Sequence, residues 1–212
     1  MKSLLIPKLF THGNINMDKK LLRKEIKSKR ALLSESYKKE SSEKITEAVI
    51  SSTAYIRADS IFIYISSPDE PATNKIINAA LGDGKKVYVP KCIANGLMLP
   101  VEINRKTVFV SGYMGILEPA EYNEDIKTPK IDLSIIPCVS ASLSGERLGH
   151  GAAFYDIFLQ HTETEKFCLC FHKLIQESIP TESTDIKMNA VITEKGIFTV
   201  KQSKKIYTPN LR

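Results

Sequence analysis

The sequence lacks the cysteine patterns that stabilise small secreted proteins or hold structural zinc. Its 212 residues include four cysteines, with no Cys-x-x-Cys pair and no histidine or cysteine partner at zinc-site spacing. They are Cys92, Cys138, Cys168 and Cys170. A chain of this length buries about 70% of the surface that its unfolded form exposes, so its core needs neither disulfides nor a metal. We therefore expect buried free thiols.

Long hydrophobic runs are also missing. No stretch approaches the ~18 apolar residues that a membrane-spanning helix needs. The first ten residues resemble a signal peptide, but Pro7 and Lys8 interrupt the apolar run and no small-residue cleavage site follows. These absences predict a cytoplasmic protein.

Repeats, low-complexity tracts and linkers rich in proline, glycine and serine are absent as well. The hydrophobic content of 42% and the charged content of 25% are ordinary for a folded domain. We predict one α/β domain over residues 17–200, preceded by an N-terminal extension at residues 1–16 and followed by a basic C-terminal tail at residues 201–212.

The net charge of +6 is distributed unevenly along the chain. Residues 1–44 carry a surplus of seven basic groups, and residues 201–212 carry four basic groups and no acid, so the body between them is acidic. A basic segment attached to an acidic body attracts nucleic acid, an anionic membrane surface or a polyphosphate ligand alike. Charge alone does not choose among these three partners.

Hydrophobic periodicity predicts an amphipathic helix from Asp18, with Leu22, Ile26 and Leu33 on its inner stripe. Another stripe of this helix is basic and consists of Lys19, Arg23, Lys27 and Arg30. A second helix is predicted after Ser34.

The rest of the chain alternates between strand and helix patterns. The β-branched and aromatic run at residues 60–65 is typical of a parallel strand that is covered on both faces. It is followed by a helix with Thr73 as its N-cap and by a strand at residues 87–90. Further strands are predicted at 97–103, 133–137 and 167–171, a helix at 151–160, and a hairpin formed by 190–193 and 197–200. This alternation predicts a single-domain, three-layer α/β/α fold with a mixed, mostly parallel sheet.

In open α/β sheets, ligands bind beyond the carboxyl ends of the strands. We therefore expect a site where residues 66–73, residues 90–92 and the segment after Pro137 converge. That last segment includes the densest cluster of special residues, the run Gly-Glu-Arg-Leu-Gly-His-Gly-Ala-Ala-Phe-Tyr-Asp from Gly145 to Asp156.

Glycines in this run allow successive backbone N–H groups to turn toward one point, and Arg147 can bind a phosphate through two parallel hydrogen bonds. The run predicts an anion-binding loop in which Asp156 would hold a magnesium ion. A glycine-rich turn followed by a surface aspartate is the alternative, and spacing alone leaves it open. Neither the Walker pattern Gly-x-x-x-x-Gly-Lys-Ser/Thr nor the Rossmann pattern Gly-x-Gly-x-x-Gly is present.

The stretch from Asp132 to Asp156 resembles the signature of the 5-formyltetrahydrofolate cyclo-ligases, also called 5,10-methenyltetrahydrofolate synthetases. That signature runs Asp-Leu-x-x-x-Pro-Gly-x-x-Phe-Asp-x-x-Gly-x-Arg-Leu-Gly-x-Gly-x-Gly-Tyr-Tyr-Asp, and the stretch follows its spacing without a gap. The likeness extends to Lys19-x-x-x-Arg23, Asp69-Glu70-x-x-Thr73, Val89-Pro90-Lys91, and Pro180 with Asp185. It covers residues 17–195.

The resemblance implies an ATP- and Mg²⁺-dependent ligase. In such enzymes ATP phosphorylates the formyl oxygen of 5-formyltetrahydrofolate, N10 attacks the activated carbon, and phosphate leaves as the methenyl bridge closes. The implied ATP-binding residues are Lys19, Arg23, Arg147, Leu148, Gly149, His150, Gly151, Ala152, Ala153, Phe154 and Tyr155. The implied folate contacts are Ile65, Glu70, His150, Gly151, Ala152, Ala153 and Phe154. Arg147 and Tyr155 would be catalytic, and Asp156 and Asp185 would bind magnesium.

The implied partners are small molecules, a reduced folate and ATP, with no nucleic acid and no membrane, bound by a monomer or weak dimer. The sequence also departs from the family pattern, at Cys138, Ala141, Ser142, Ala153, Phe154, Leu174 and Asn189. Because the phosphate and magnesium positions are retained, we favour an active ligase. A catalytically altered relative that binds folate or nucleotide without turnover remains the alternative. An RNA-binding module is a weaker one, since no aromatic RNP motif accompanies the basic helix.

Overall fold

A computed structural model describes residues 18–93, 97–112, 115–123 and 129–200. The predicted extension at 1–16 and the predicted tail at 201–212 lie outside the described residues. The helices are α1 (Lys19–Ala31), α2 (Glu35–Ile50), α3 (Thr53–Arg57), α4 (Asn74–Gly82) and α5 (Phe154–Gln160), and a 3-10 turn lies at His172–Leu174. The strands are β1 (Ser60–Ile63), β2 (Lys86–Cys92), β3 (Met98–Ile103), β4 (Phe109–Ser111), β5 (Leu117–Pro119), β6 (Leu133–Ile136), β7 (Ser140–Ala141), β8 (Arg147–Leu148), β9 (Glu165–Leu169), β10 (Ala190–Thr193) and β11 (Gly196–Thr199).

Seven strands form the central sheet in the order β11-β10-β9-β6-β1-β2-β3. The five inner strands are parallel, whereas β3 and β11 run antiparallel at the two edges. The residues of β1 and β6 are buried throughout, as expected for parallel strands covered on both faces. The predicted mixed, mostly parallel sheet is therefore confirmed, as are the edge strand and the C-terminal hairpin.

Helices cover both faces of this sheet. The ring of Phe62 in β1 lies 4.5 Å from the ring of Phe158 in α5, measured between centroids. Helices α2 and α4 pack against each other and against β10 and β2. The crossovers β1-α4-β2 and β6-α5-β9 leave the sheet centre in opposite directions, so right-handed connections place α4 and α5 on opposite faces. The three-layer α/β/α prediction is confirmed, and none of the described helices is long and apolar enough to cross a bilayer.

One local prediction was wrong, and one was confirmed in position only. Arg30 was assigned to the basic stripe with Lys19, Arg23 and Lys27, but it is buried on the same face as Leu22 and Ile26 and donates to the backbone oxygens of Cys138 and Val139 at 2.9 and 2.8 Å. Thr73 occupies the N-cap position of α4 as predicted, but its side chain makes no cap hydrogen bond, because its hydroxyl donates to the Tyr64 carbonyl at 2.8 Å.

The described cysteines are free thiols, as predicted, although Cys92 is only half-buried. Cys138, Cys168 and Cys170 are buried and lie together where β6 and β9 end. Hydrogen bonds from the Cys168 and Cys170 thiols lower the pKa of Cys138.

The start of β1 is fixed by the carboxylate of Asp132, just before β6. Asp132 Oδ2 accepts hydrogen bonds from the backbone N–H groups of Asp59 and Ser60 and from the Ser60 hydroxyl, at 3.1, 3.0 and 2.8 Å. Burial opposes ionisation of Asp132, but these hydrogen bonds outweigh it and lower the pKa below the ordinary value of 3.8.

We expect Asp132→Ala to lower the free energy of unfolding at pH 7 by about 1–3 kcal/mol, since it removes hydrogen bonds to a charged acceptor. Because the folded-state pKa is lowered, the stabilisation is present above the unfolded-state value and is lost as the pH falls through the folded-state value. Urea unfolding of the wild type and Asp132→Ala between pH 7 and pH 2.5 measures whether the difference between their free energies of unfolding shrinks as the pH falls. The exposed neighbour is the control: Asp59→Ala should have little effect at any pH, and a pH-independent loss for Asp132→Ala would contradict the role of its charge.

Candidate active site

A cavity of about 740 Å³ opens at the carboxyl edge of the sheet, next to β1 and β6, from which the crossovers diverge. It is lined by residues that follow β1, by the end of β2, by Pro137 after β6 and by residues 147–157. Every residue with a predicted site role lines it, namely Lys19, Arg23, Ile65, Glu70, residues 147–156 and Asp185. The fold thus brings together segments that are up to 166 positions apart in sequence.

Arg147 lies on the short hairpin strand β8, which pairs with β7. Its side chain is 3% exposed; one terminal nitrogen donates to Asp156 Oδ2 at 2.6 Å and the other to the Pro137 carbonyl at 3.3 Å. Its Nε has no hydrogen-bond partner among the described residues. The Arg147 guanidinium packs against Gly149, where a Cβ would lie 3.0 Å from it. Position 149 therefore has little room for a side chain. Arg147 therefore lines the cavity as a buried cation.

Lys19 and Arg23 are one turn apart on α1 and reach the same cavity. Lys19 Nζ lies 2.6 Å from Asp185 Oδ2 and 3.0 Å from Glu182 Oε1. Burial would lower the pKa of Lys19, but these two carboxylates outweigh it and raise the pKa. Arg23 Nε donates to the Gly149 carbonyl at 2.8 Å. The N-terminal turn of α1 is therefore attached directly to the glycine loop.

An open groove adjoins the cavity, and both Arg23 and Lys27 of the predicted basic stripe line it, whereas Arg30 does not. The groove is also lined by Lys20, Lys24 and His150. Its lining is therefore mainly basic.

The two predicted magnesium ligands are paired with cations. Asp156 binds Arg147 and accepts a hydrogen bond from the Ile186 N–H at 3.2 Å through its second oxygen. Asp185 binds Lys19. Burial opposes ionisation of Asp185, but the hydrogen bonds from Lys19 and from the Glu182 N–H lower its pKa. Within the described part of the chain, no cluster of three or more His, Cys, Asp or Glu side chains forms a ready metal site.

Glu70 is buried, with a side chain that is 5% exposed. Its Oε1 lies 3.1 Å from His150 Nε2, and its Oε2 accepts from the N–H and hydroxyl of Ser67 at 2.9 and 3.0 Å. Burial would raise the pKa of Glu70, but the hydrogen bonds from His150 and Ser67 outweigh it and lower the pKa. Glu70 is thus held as an anion inside the cavity.

Tyr155 lies in the first turn of α5, between the charged groups of the cavity. Its ring contacts Phe62 edge to face, and the Arg147 guanidinium lies 5.8 Å from its ring centroid. Burial and the nearby Glu70 carboxylate raise the pKa of the phenol, so it stays protonated at neutral pH. The site therefore has a fixed phenolic donor beside its cations.

The predicted helix at 151–160 begins only at Phe154, because two residues just before it have backbone conformations with positive φ. Gly151 has φ 109° and Ala153 has φ 57°, and neither angle fits a right-handed helix. Where the family pattern has glycine, this chain therefore holds an alanine in a strained conformation.

We expect Ala153→Gly to raise the free energy of unfolding by up to about 1 kcal/mol. The change relieves roughly 1–2 kcal/mol of left-handed strain in the folded state. This gain is partly offset because glycine loses roughly 0.5–1 kcal/mol more conformational entropy on folding. The neighbour Ala152 is equally exposed but has no positive φ. Ala152→Gly should therefore lower stability by about 0.5–1 kcal/mol. Chemical denaturation of the pair measures the difference, and equal effects would mean that Ala153 is unstrained.

Sequence analysis missed Glu118, which lines the cavity from β5. Its side chain is 5% exposed and its Oε2 lies 3.1 Å from Lys91 Nζ. The available signal was a carboxylate between apolar residues, in the run Ile116-Leu117-Glu118-Pro119, which is unusual for a surface strand.

The fold and this cavity define a small α/β protein with three cations and four buried or half-buried carboxylates around one site. The family model described as "5-formyltetrahydrofolate cyclo-ligase family" matches residues 15–194. The chain therefore belongs to the 5-formyltetrahydrofolate cyclo-ligase family, which confirms the resemblance and makes it a ligase of folate metabolism.

Individual relatives agree with this assignment. The mouse 5-formyltetrahydrofolate cyclo-ligase is 28% identical over 193 residues, covering 85% of this chain and 95% of the relative. The Escherichia coli K12 enzyme of the same name is 25% identical over 179 residues, covering 82% and 98%. The solved structure of Aquifex aeolicus 5,10-methenyltetrahydrofolate synthetase superposes with a TM-score of 0.77 at 24% identity, over 92% of this chain and 98% of that one, and supports the fold.

Proposed function

We propose that this chain converts 5-formyltetrahydrofolate and ATP to 5,10-methenyltetrahydrofolate, ADP and phosphate. The observation that supports it most is the Arg147 side chain, which lines the cavity together with Lys19, Arg23 and the glycine loop. Three cations around one cavity favour an anionic ligand, and a guanidinium matches the oxygens of a phosphate group.

Phosphoryl transfer requires mainly positioning and neutralisation of charge, and the side chains around the cavity suit both tasks. We propose that Lys19 and Arg23 bind the outer phosphates from α1 while Arg147 stabilises the transferred group. Lys19 pairs with Asp185, and Arg147 pairs with Asp156. A nucleotide would exchange those carboxylates for phosphate oxygens, so binding would free both carboxylates at once.

The donor set of Asp156 and Asp185 fits Mg²⁺, which proteins commonly bind through one or two carboxylates together with substrate phosphates and water. The hydrogen bond from the Ile186 N–H to Asp156 ties the segment that carries Asp185 to α5. When bound, the ion would supply further neutralisation of the phosphate charge. Two protein carboxylates without a third ligand are consistent with a metal that arrives with its nucleotide.

The remaining groups suit the carbon chemistry. Transfer of the γ-phosphoryl group to the formyl oxygen forms a P–O bond and breaks the bond to ADP. N10 then attacks the formyl carbon, loses its proton, and phosphate leaves to give the cationic methenyl bridge. We propose that the ionised Glu70 stabilises this developing positive charge and that the Tyr155 phenol donates to the reacting oxygens, since preorganised charges act most strongly in a water-excluded site.

The test is a product assay. Purified protein with ATP, Mg²⁺ and 5-formyltetrahydrofolate should develop the near-ultraviolet absorbance of the methenyl product, with one ADP released for each product formed. Nucleotide binding without product would instead identify the catalytically altered relative. RNA affinity that falls steeply with salt and is unaffected by ATP would instead support an RNA-binding module. The basic groove beside the cavity is where such an RNA would bind.

The chain's location and assembly are part of the same proposal. We propose a cytoplasmic protein that acts on small molecules as a monomer or weak dimer. Fractionation and light scattering test these two statements.

A further inference from the structure

Glu118 is a buried carboxylate that none of the roles proposed so far uses. It lies on β5, which pairs with β4 in a small hairpin separate from the central sheet. Its side chain is 5% exposed, yet it lines the cavity together with Pro90, Cys92 and Met98. A charge in such a position is costly unless it is paired, so its contacts define what it can do.

The protein fixes this carboxylate from one side. Lys91 Nζ lies 3.1 Å from Glu118 Oε2, and the Cys92 N–H donates to Oε1 at 3.2 Å. A Cβ at Gly112 would lie 2.2 Å from the carboxyl group, so glycine provides the space that the carboxylate occupies. Lys91 is not among the described residues that line the cavity, and it therefore neutralises Glu118 from behind.

The cavity side of Glu118 retains acceptor capacity. A carboxylate accepts about four hydrogen bonds, and each oxygen here has one strong donor. Burial and Glu118 raise the pKa of the nearby Cys92 thiol to about 11, so it does not add a second anion. One acceptor position on each oxygen is thus available to a ligand that presents two adjacent N–H groups.

The surroundings favour a flat heterocycle as that ligand. Pro90, Met98 and Ile116 form apolar walls near Glu118, whereas the cations gather around Arg147 and Lys19. Tyr155 lines the same cavity as Glu118, and the Arg147 guanidinium lies 5.8 Å from its ring centroid. A ligand anchored at Glu118 would extend past Tyr155 toward the phosphate-binding cations.

We propose that Glu118 anchors the pterin ring of the substrate by accepting hydrogen bonds from its N3–H and 2-amino groups, with Lys91 and Gly112 positioning the carboxylate. This inference rests on the proposed function, because it takes the reduced folate as the ligand. It makes Glu118 the residue that sets the orientation of the folate, with the pterin at the apolar end and the formyl group directed toward Tyr155 and Arg147. Glu118 is then a specificity-determining residue for the 2-amino-4-oxo heterocycle.

The experiment compares Glu118→Gln with Glu121→Gln, an exposed glutamate three positions along the chain. For Glu118→Gln we expect the KM for 5-formyltetrahydrofolate to rise about 10- to 100-fold, while the KM for ATP changes by less than about twofold. Glu121→Gln should match the wild type. An equal rise in both KM values would indicate general damage to the site and would overturn the assignment.

A substrate analogue tests the contact without depending on the variant's folding. The 2-desamino-2-methyl analogue of 5-formyltetrahydrofolate lacks one of the two donors. We expect the wild type to bind it about 10- to 100-fold more weakly than the natural compound, and Glu118→Gln to discriminate by less than about threefold. Equal binding of both compounds by the wild type would refute the anchor even if Glu118→Gln fails to fold.

Binding and turnover are measured separately, so the two proposals fail in different ways. Discrimination against the analogue in titrations without product formation would retain the anchor and reject the catalytic proposal. Product formation without discrimination would retain the catalytic proposal and reject the anchor. If the wild type neither binds nor converts 5-formyltetrahydrofolate, both proposals are wrong.

Discussion

Replacing Arg147 by alanine is expected to lower kcat/KM about a thousandfold or more, since a guanidinium that stabilises a transferring phosphoryl group contributes roughly 10³–10⁵ in rate. Arg147→Lys retains the charge but loses the planar fork, so we expect a loss of about a hundredfold rather than recovery. The measurement is initial-rate kinetics of methenyl product formation with each variant. Thermal unfolding measured alongside establishes that the variants are folded.

Arg30 provides the matched control for Arg147. It is also a buried arginine with an unpaired Nε among the described residues, and it donates to the carbonyls of Cys138 and Val139, just after the Pro137 carbonyl that Arg147 contacts. It does not line the cavity as described. Arg30→Lys should therefore lower stability while kcat/KM stays within about threefold of the wild type. If the two arginines give equal losses of rate, Arg147 supports the loop rather than the chemistry.

The second large effect concerns the paired carboxylates. We expect Asp156→Asn and Asp185→Asn each to raise the Mg²⁺ concentration for half-maximal activity at least about tenfold, because a neutral amide is a weaker ligand for a hard divalent cation. Titration of activity with Mg²⁺ at saturating ATP measures this change. Titration of metal binding in the presence of a non-hydrolysable nucleotide measures the same affinity without turnover.

Glu182 separates loss of a metal ligand from loss of a salt bridge. Like Asp185 it contacts Lys19, at 3.0 Å, but its side chain is 70% exposed. Glu182→Gln should therefore leave the Mg²⁺ requirement within about twofold of the wild type, since exposed ion pairs contribute little. An unchanged Mg²⁺ titration for both aspartate variants would show that the ion is bound elsewhere or is not required.

Helix α1 shows how far periodicity predicts the site. Its start and its inward Leu22 and Ile26 follow from local spacing, and so does the placement of Lys19 and Arg23 one turn apart, but the helix ends at Ala31, before the predicted Leu33. Arg30 was wrongly assigned to the basic stripe even though its spacing of four from Ile26 places it on the buried face. Residue type suggested a surface position, but the backbone carbonyls that satisfy this guanidinium come from a segment more than a hundred positions away.

The glycine run illustrates the same division at the site itself. Sequence spacing predicted an anion-binding loop around Arg147, and residues 147–156 of the run line the cavity. Spacing did not predict that β8 in this run pairs with β7 just before it, or that Ala153 is left-handed. Those conformations depend on how the loop closes against Arg23 and Met188, which are remote in sequence.

The sequence by itself determined the alternation of strands and helices, the mixed sheet, the family and the residues with charge suitable for phosphate and Mg²⁺. These properties follow from local periodicity and from a contiguous signature, and neither depends on contacts with distant segments of the chain. Only the tertiary structure decided which charged groups are buried and which of them pair with one another. It also decided that Glu118 lines the cavity. Burial and pairing depend on contacts between segments distant along the chain, and a carboxylate on a short strand acquires a role only when the sheet brings Lys91 and Gly112 around it.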